Sequence, residues 1–169
     1  MWSKSFLPRV RQDTQVLILG SMPGRASLEK QQYYAHSRNV FWPIMATLFE
    51  FDPALPYEEK LEVLNNNKVG LWDVYAQCYR EGSLDASIVT DTAEYNDFPQ
   101  LFLQYPGIHT VFFNGQTANK VFRQKILPSI NAEHITFYCL PSTSPAHAGM
   151  TWQSKLDVWR VVKESIHEA

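Results

Sequence analysis

The stretch VLILGSMPGRASLEKQQYYAHSRNVFW, residues 16–42, is the most informative part of the sequence for the fold. Four apolar residues at 16–19 run directly into the turn Gly20-Ser21-Met22-Pro23-Gly24. This pattern is typical of a buried strand that ends in a sharp loop. Two tyrosines, a histidine, an asparagine, a phenylalanine and a tryptophan then fall within residues 33–42. Because ligands of α/β proteins bind beyond the carboxyl ends of strands, the stretch predicts a binding site there.

Three further apolar runs resemble the first strand: VGLWDVY (69–75), HTVFFNG (109–115) and HITFYCL (134–140). Each is continuous rather than alternating, which favours strands buried on both faces of a parallel sheet. Helical patterns separate them, in NVFWPIMATLFEF (39–51), YEEKLEVLNNN (57–67), TANKVFRQKIL (117–127) and TWQSKLDVWRVVKESIHEA (151–169). The alternation predicts an α/β fold, a three-layer sandwich with a central four-stranded, mostly parallel sheet flanked by helices.

Length and composition narrow the class of protein. A chain of 169 residues predicts a single domain over 1–169, and a net charge of −2 argues neither for nor against a nucleic-acid partner. No apolar run approaches the roughly 20 residues that cross a bilayer, and the first ten residues lack a signal-peptide pattern. We therefore expect a cytoplasmic protein without a membrane partner, and we expect it to be a monomer. Two cysteines, Cys78 and Cys139, cannot supply a four-cysteine metal site.

The loop after the first strand has two interpretations. Two glycines and a proline allow the backbone to turn sharply and to approach a ligand closely, with amides free to donate. The same residues would also make an ordinary turn between a strand and a helix. Neither a phosphate-binding lysine at the required spacing nor the G-x-G-x-x-G pattern is present, so nucleotide-binding interpretations are weak.

The aromatic cluster after this loop is more specific. A flat ring on Tyr33 or Tyr34 suits stacking against a planar base, whereas Phe41 and Trp42 fit the core face of the following helix. Asn39 lies between them, with an amide that can both accept from and donate to a water molecule. An asparagine at this position could equally cap the helix.

The last strand runs into LPSTSPAHAGM, residues 140–150. Hydroxyls, prolines and a histidine in one loop indicate contact with a phosphate backbone, although His147 could also be a simple surface residue. A serine hydrolase is a further hypothesis, with Ser21, Ser142 or Ser144 as the nucleophile and His147 as the base. The absence of a G-x-S-x-G pattern argues against it.

Three other polar residues, Asp73, Asp85 and Asn114, fall at the same predicted edge of the sheet. Asp85 and Asn114 are candidates for contacts to a ligand. Asp73 lies inside an apolar run, so it is either buried with a backbone partner or part of the pocket.

Taken in order along the chain, GSMPG, YYAHSRNVFW and LPSTSPAHAG resemble motifs of the uracil-DNA glycosylase superfamily. The segment LWDVYAQCYREGSLDASI, followed by NDF (96–98) and FFNG, is similar to its hypoxanthine-DNA (DNA-deoxyinosine) glycosylase branch. The resemblance implies the sandwich fold described above. It also implies a monofunctional hydrolase that flips a deaminated base out of DNA and cuts its N-glycosidic bond with water, without metal or cofactor. Hypoxanthine is the first expected substrate and uracil the second, in base excision repair.

The same resemblance assigns roles to individual residues. Asn39 is implied to be catalytic, because it matches the asparagine that supplies the water. Tyr34 matches the aromatic residue on which the base stacks. The other implied base-binding residues are Gly20, Ser21, Met22, Pro23, Gly24, His36, Asp85 and Asn114. The implied DNA-binding residues are Ser142, Thr143, Ser144, Pro145, Ala146 and His147, in a loop that fills the space left by the flipped base.

Met22 is a departure from the superfamily pattern. Most members carry an aspartate or asparagine there, which holds or activates the water, and methionine can do neither. This departure supports an alternative hypothesis, a non-catalytic nucleic-acid-binding or damage-sensing module on the same fold.

Overall fold

The computed structural model describes residues 1–167, which form two sheets and seven α-helices. The strands are β1 (Trp2–Lys4), β2 (Val16–Gly20), β3 (Val69–Asp73), β4 (Tyr75–Arg80), β5 (Ile88–Tyr95), β6 (Thr110–Asn114) and β7 (Thr136–Leu140). The helices are α1 (Arg25–Lys30), α2 (Phe41–Phe49), α3 (Tyr57–Asn66), α4 (Phe98–Gln104), α5 (Gln116–Lys125), α6 (Trp152–Trp159) and α7 (Val161–Glu164).

The central sheet has four parallel strands in the order β3-β2-β6-β7. Every residue of β2 and β3 is buried, as the continuous apolar runs predict for strands covered on both faces. The register pairs Gly20 with Asp73 and Asn114 with Leu140, so the carboxyl ends of all four strands meet at one edge of the sheet.

Helices cover both faces of this sheet and divide the core in two. Val16 and Ile18 of β2 pack with residues of α2, α3, α6 and α7 on one face. Leu17 and Leu19 face the opposite side and pack with residues of α4 and α5. The alternation of side chains along one strand therefore builds two apolar layers, and the three-layer α/β fold predicted from the sequence is confirmed.

A second sheet is not predicted by the sequence. It is antiparallel, with the order β1-β4-β5, and it follows directly from the central sheet. The run 69–75, predicted as one strand, ends at Asp73, and β4 begins at Tyr75. The amides of Val74 and Tyr75 donate to the carbonyls of Gly20 and Ser21, so this corner is hydrogen-bonded to the first loop.

Candidate active site

A cavity of about 860 Å³ lies at the carboxyl edge of the central sheet. It is enclosed by the loop after β2, the aromatic segment before α2, the turn between β4 and β5, and the loops after β6 and β7. All sixteen residues that the sequence predicts for the site line this cavity. The structure therefore brings them together, while the role of each one stays a prediction.

The first loop passes closely over the floor of the cavity. A Cβ atom at Gly20 would lie 2.6 Å from Asp73 Oδ1 and 3.1 Å from the Tyr34 hydroxyl, so only glycine fits there. Ser21 Oγ donates to Asp85 Oδ1 at 2.7 Å. Met22 is buried in a small apolar cluster formed with residues of β4 and β5. Its side chain therefore contributes to packing between the first loop and the antiparallel sheet.

Tyr34 has φ of 56°, a left-handed conformation that is unusual for a tyrosine. Its ring packs against Phe41, with 4.0 Å between the ring centroids, and its hydroxyl is buried without a hydrogen-bond partner among residues 1–167. Tyr33 is anchored differently, because its hydroxyl donates to the carbonyl of Leu7. Phe41 and Trp42 are buried, as predicted for core residues of α2.

Asn39 combines the two possibilities that its sequence position leaves open. Its Oδ1 accepts a hydrogen bond from the Phe41 amide at 2.9 Å, which stabilises the start of α2. The residue is only partly buried and also lines the cavity. No hydrogen bond from its Nδ2 is found within the described residues, so one end of the amide holds the helix and the other can bind a water molecule.

His36 is exposed at the rim of the cavity. Its Nδ1 accepts a hydrogen bond from the Arg38 amide at 3.1 Å. This arrangement fits the neutral tautomer with the proton on Nε2, so the ring can present an N–H donor.

Asn114 and Thr143 form a two-point contact between the loops after β6 and β7. Asn114 Nδ2 donates to Thr143 Oγ1, and the Thr143 amide donates to Asn114 Oδ1, both at 2.9 Å. The Thr143 carbonyl accepts from the Val40 amide at 3.1 Å, next to Asn39. The amide of Asn114 thus holds the loop after β7 beside the aromatic segment, and its role as a base contact stays a prediction.

Lys155 supports the loop after β7 from outside the cavity, and sequence reasoning missed it. It is buried on α6, and burial lowers its pKa. Its Nζ donates to the carbonyls of Ser142 at 2.7 Å and His147 at 3.0 Å, and thus holds both ends of the loop. Ala146 and His147 remain exposed at the tip. A lysine in an amphipathic helix gives no sequence signal for such a role.

The serine hydrolase hypothesis gains no support from this loop. Ser142 Oγ accepts from the Ser144 amide at 3.1 Å, and Ser144 Oγ accepts from the Ala146 amide at 3.2 Å. Within residues 1–167, neither hydroxyl has a hydrogen bond to the ring of His147. The serines therefore shape the loop, as in other turns built on hydroxyl-to-backbone contacts.

Arg80 was also missed, although it is fully buried beneath the first loop. Its guanidinium donates to the carbonyls of Pro23 and Ser83 and lies 4.0 Å from Asp85 Oδ1. Burial raises the pKa of Asp85, while the hydrogen bond from Ser21 and the charge of Arg80 oppose the shift. The end of β4 and the turn after it thus place Arg80 and Asp85 beneath the loop after β2.

Asp73 lies at the end of β3, on the floor of the cavity, and is 3% exposed. Its backbone carbonyl accepts from Asn96 Nδ2 at 2.7 Å. Its carboxyl oxygen Oδ2 is buried and has no hydrogen-bond partner within residues 1–167. Burial of Asp73 is therefore confirmed. Its hydrogen bond from Asn96 reaches the backbone carbonyl, and Oδ2 of the carboxyl group is left without a partner among residues 1–167.

Within residues 1–167, no three His, Cys, Asp or Glu side chains are grouped so that they could hold a metal ion. Over the same residues, no helix is long and apolar enough to span a bilayer.

Comparison with known proteins places these features in a family. The family model of the "Uracil DNA glycosylase superfamily" matches residues 7–164. A protein of Methanosarcina barkeri named hypoxanthine DNA glycosylase is 38% identical over 121 residues, which cover 71% of this chain and 75% of that protein. A Methanosarcina acetivorans protein of the same name is 35% identical over 146 residues, covering 81% and 91%.

A solved structure has the same architecture. The solution NMR structure of a candidate uracil DNA glycosylase from Methanosarcina acetivorans superposes with a TM-score of 0.81 and 32% sequence identity. The superposition covers 96% of this chain and 97% of that one.

Proposed function

This chain belongs to the uracil DNA glycosylase superfamily, and from that membership we propose that it is a monofunctional DNA glycosylase that releases hypoxanthine from DNA. The observation that carries the proposal is the cavity at the carboxyl edge of the sheet, which is lined by all sixteen residues assigned to the site. Two relatives named for this activity share 38% and 35% identity with the chain. Uracil is the second proposed substrate, and base excision repair the process.

The proposed reaction needs an extruded nucleotide in the cavity and one oriented water molecule. The C1′–N9 bond breaks with its electron pair leaving on the purine, and the sugar becomes an oxocarbenium-like cation. The water oxygen then bonds to C1′ and loses a proton, the departed purine anion takes up a proton, and an abasic site and the neutral free base remain. Asn39 Nδ2 and the neighbouring backbone orient that water, and donors of the first loop stabilise the departing base.

Tyr34 provides the stacking surface in this proposal. We expect Tyr34→Ala to weaken binding of deoxyinosine DNA by about 1–3 kcal/mol, because the base loses its aromatic platform. Tyr34→Phe retains the ring and should keep most of the activity, since the buried hydroxyl has no hydrogen-bond partner within residues 1–167. Binding titrations and single-turnover rates test both variants. A folded but inactive Tyr34→Phe protein would show that the hydroxyl matters instead.

The loop tip provides the wedge that replaces the extruded nucleotide. We expect His147→Ala to lower the rate on paired deoxyinosine by more than on single-stranded deoxyinosine, because only the duplex must be unstacked, at a cost of a few kcal/mol. The matched control is His134→Ala, an exposed histidine before the amino end of β7, at the opposite edge of the sheet. Equal losses on the two substrates would contradict the wedge role.

A base-release panel tests the function itself. Duplexes with a single labelled hypoxanthine, uracil, xanthine or thymine are incubated with excess protein, and free base is measured. We expect release of hypoxanthine to be fastest. Binding of damaged DNA with no release of any of the four bases would instead favour the non-catalytic module, the alternative to which Met22 points.

We also propose the setting in which the protein works. Its proposed partner is DNA containing deaminated bases, and its proposed location is therefore inside the cell, in the cytoplasm and on DNA. The chain is further proposed to act as one domain and as a monomer. Sedimentation of the protein alone and on a short duplex tests the oligomeric state.

A further inference from the structure

Asp73 differs from Asp85, the other carboxyl group that lines the cavity, because one of its carboxyl oxygens is buried and lacks a partner among residues 1–167. It is 3% exposed, and Oδ2 has no hydrogen bond within residues 1–167. The nearby Asp85, in contrast, accepts from Ser21 and lies beside Arg80. Buried polar groups are almost always paired, so an exception on a cavity floor points to a ligand that supplies the pair.

The position of this carboxyl group is set by Gly20. Asp73 Oδ1 and the Tyr34 hydroxyl lie 2.6 Å and 3.1 Å from the point where a Gly20 Cβ would be. The Tyr34 hydroxyl is also buried and unpaired among the described residues. The carboxyl group of Asp73 therefore lies between the first loop and Tyr34, the residue on which the base is proposed to stack, where the edge of a bound base can reach it.

The surroundings favour the neutral form of the carboxyl group. Burial raises the pKa of Asp73 to about 7, and the negative charge of Asp85 adds to the shift while Arg80 opposes it. The titratable and charged groups near it are Tyr33, Tyr34, Tyr57, Arg80 and Asp85. A neutral carboxyl group offers a donor and an acceptor side by side, whereas an ionised one only accepts.

We propose that Asp73 determines base specificity, by pairing its neutral carboxyl group with the lactam edge of the flipped base. The C=O oxygen of the Asp73 side-chain carboxyl group accepts from the ring N–H of the base, and the O–H of the same carboxyl group donates to the adjacent ring carbonyl. Hypoxanthine carries this edge at N1 and O6, where deamination of adenine creates it. The inference rests on the proposed glycosylase function and names the residue that selects its substrate.

The test compares Asp73→Asn and Asp73→Leu with the wild type, in single-turnover release of hypoxanthine from about pH 5 to about pH 9. The wild-type rate should fall above about pH 7, because an ionised carboxylate can no longer donate to the carbonyl. Asp73→Asn should stay within a few-fold at low pH and lose this decline, since an amide keeps a donor and an acceptor at all these pH values. Asp73→Leu should be slower by about tenfold or more at low pH.

Two results would overturn the inference. One is a wild-type rate that rises through neutral pH, and the other is a decline that persists in Asp73→Asn. The same variants are also assayed on a duplex with unsubstituted purine, which lacks the N–H and the carbonyl. The wild type should prefer hypoxanthine by a larger factor than Asp73→Leu does, and equal preference in the two proteins counts against base selection by Asp73.

A thermal readout checks the free protein independently of activity. The pKa of Asp73 is raised from its ordinary value of 3.8 to about 7, so ionisation destabilises the folded wild type as pH rises between these values. The melting temperature of Asp73→Asn should therefore exceed that of the wild type at pH 8 by more than at pH 4. An unchanged difference would show that the carboxyl group is paired after all. Failure of the wild type to release any base rejects the proposed function, while normal release that is unaffected in Asp73→Leu rejects only this inference.

Discussion

Asn39→Ala is expected to lower the single-turnover rate of hypoxanthine release by about a hundredfold or more, while binding of deoxyinosine DNA stays nearly unchanged. The reason is that an oriented water contributes mainly to the transition state and not to ground-state binding. Rates under enzyme excess and equilibrium titrations of the same duplex measure the two quantities separately.

The structure requires a control for this experiment, because Asn39 also supports α2 through the Phe41 amide. Loss of such a contact costs about 1 kcal/mol of stability. Asn39→Ser is the matched variant, since a serine hydroxyl can still accept from the helix amide but is too short to hold the same water. We expect Asn39→Ser to melt close to the wild type and to be nearly as slow as Asn39→Ala. A near-normal rate in either variant would refute the catalytic assignment.

Arg80→Met should cause the largest loss of stability among the predicted variants, about 2–4 kcal/mol in the free energy of unfolding. Arg80 is fully buried, so its removal leaves the carbonyls of Pro23 and Ser83 without a donor and Asp85 without a neighbouring cation. The first loop then loses the hydrogen bond from Arg80 to the Pro23 carbonyl, and we expect the rate of base release to fall as well. Chemical denaturation followed by circular dichroism measures the stability.

Two variants delimit this effect. Arg80→Lys keeps the charge but cannot span both carbonyls with a planar fork, so it should lie between the wild type and Arg80→Met. Arg9→Met removes an ion pair with Glu58 whose side chains are 37% and 68% exposed. Because exposed pairs contribute little, we expect a change of no more than about 1 kcal/mol. Equal destabilisation by Arg9→Met and Arg80→Met would contradict the role assigned to the buried network.

The sequence by itself determined the central sheet and the edge at which the site forms. Each of the four parallel strands is a continuous apolar run, and the helices between them have apolar residues at helical spacing. Such patterns belong to consecutive residues, so they can be recognised without tertiary contacts. Parallel strands necessarily bring their carboxyl ends to one edge, and for this reason the residues after β2, β6 and β7 were predicted to meet.

Only the tertiary structure decided the antiparallel sheet and the partners of the polar groups. The pairing of Ser3 in β1 with Cys78 in β4 joins distant parts of the chain, so no local pattern predicts it. β5 is largely exposed and polar, so it lacks the apolar pattern of a buried strand. In the sequence Arg80 resembles an ordinary surface charge, because its partner, the Pro23 carbonyl, belongs to a loop that is distant along the chain. Asp73 follows the same logic, because burial and the absence of a partner are properties of its surroundings in space and not of the residues beside it in sequence.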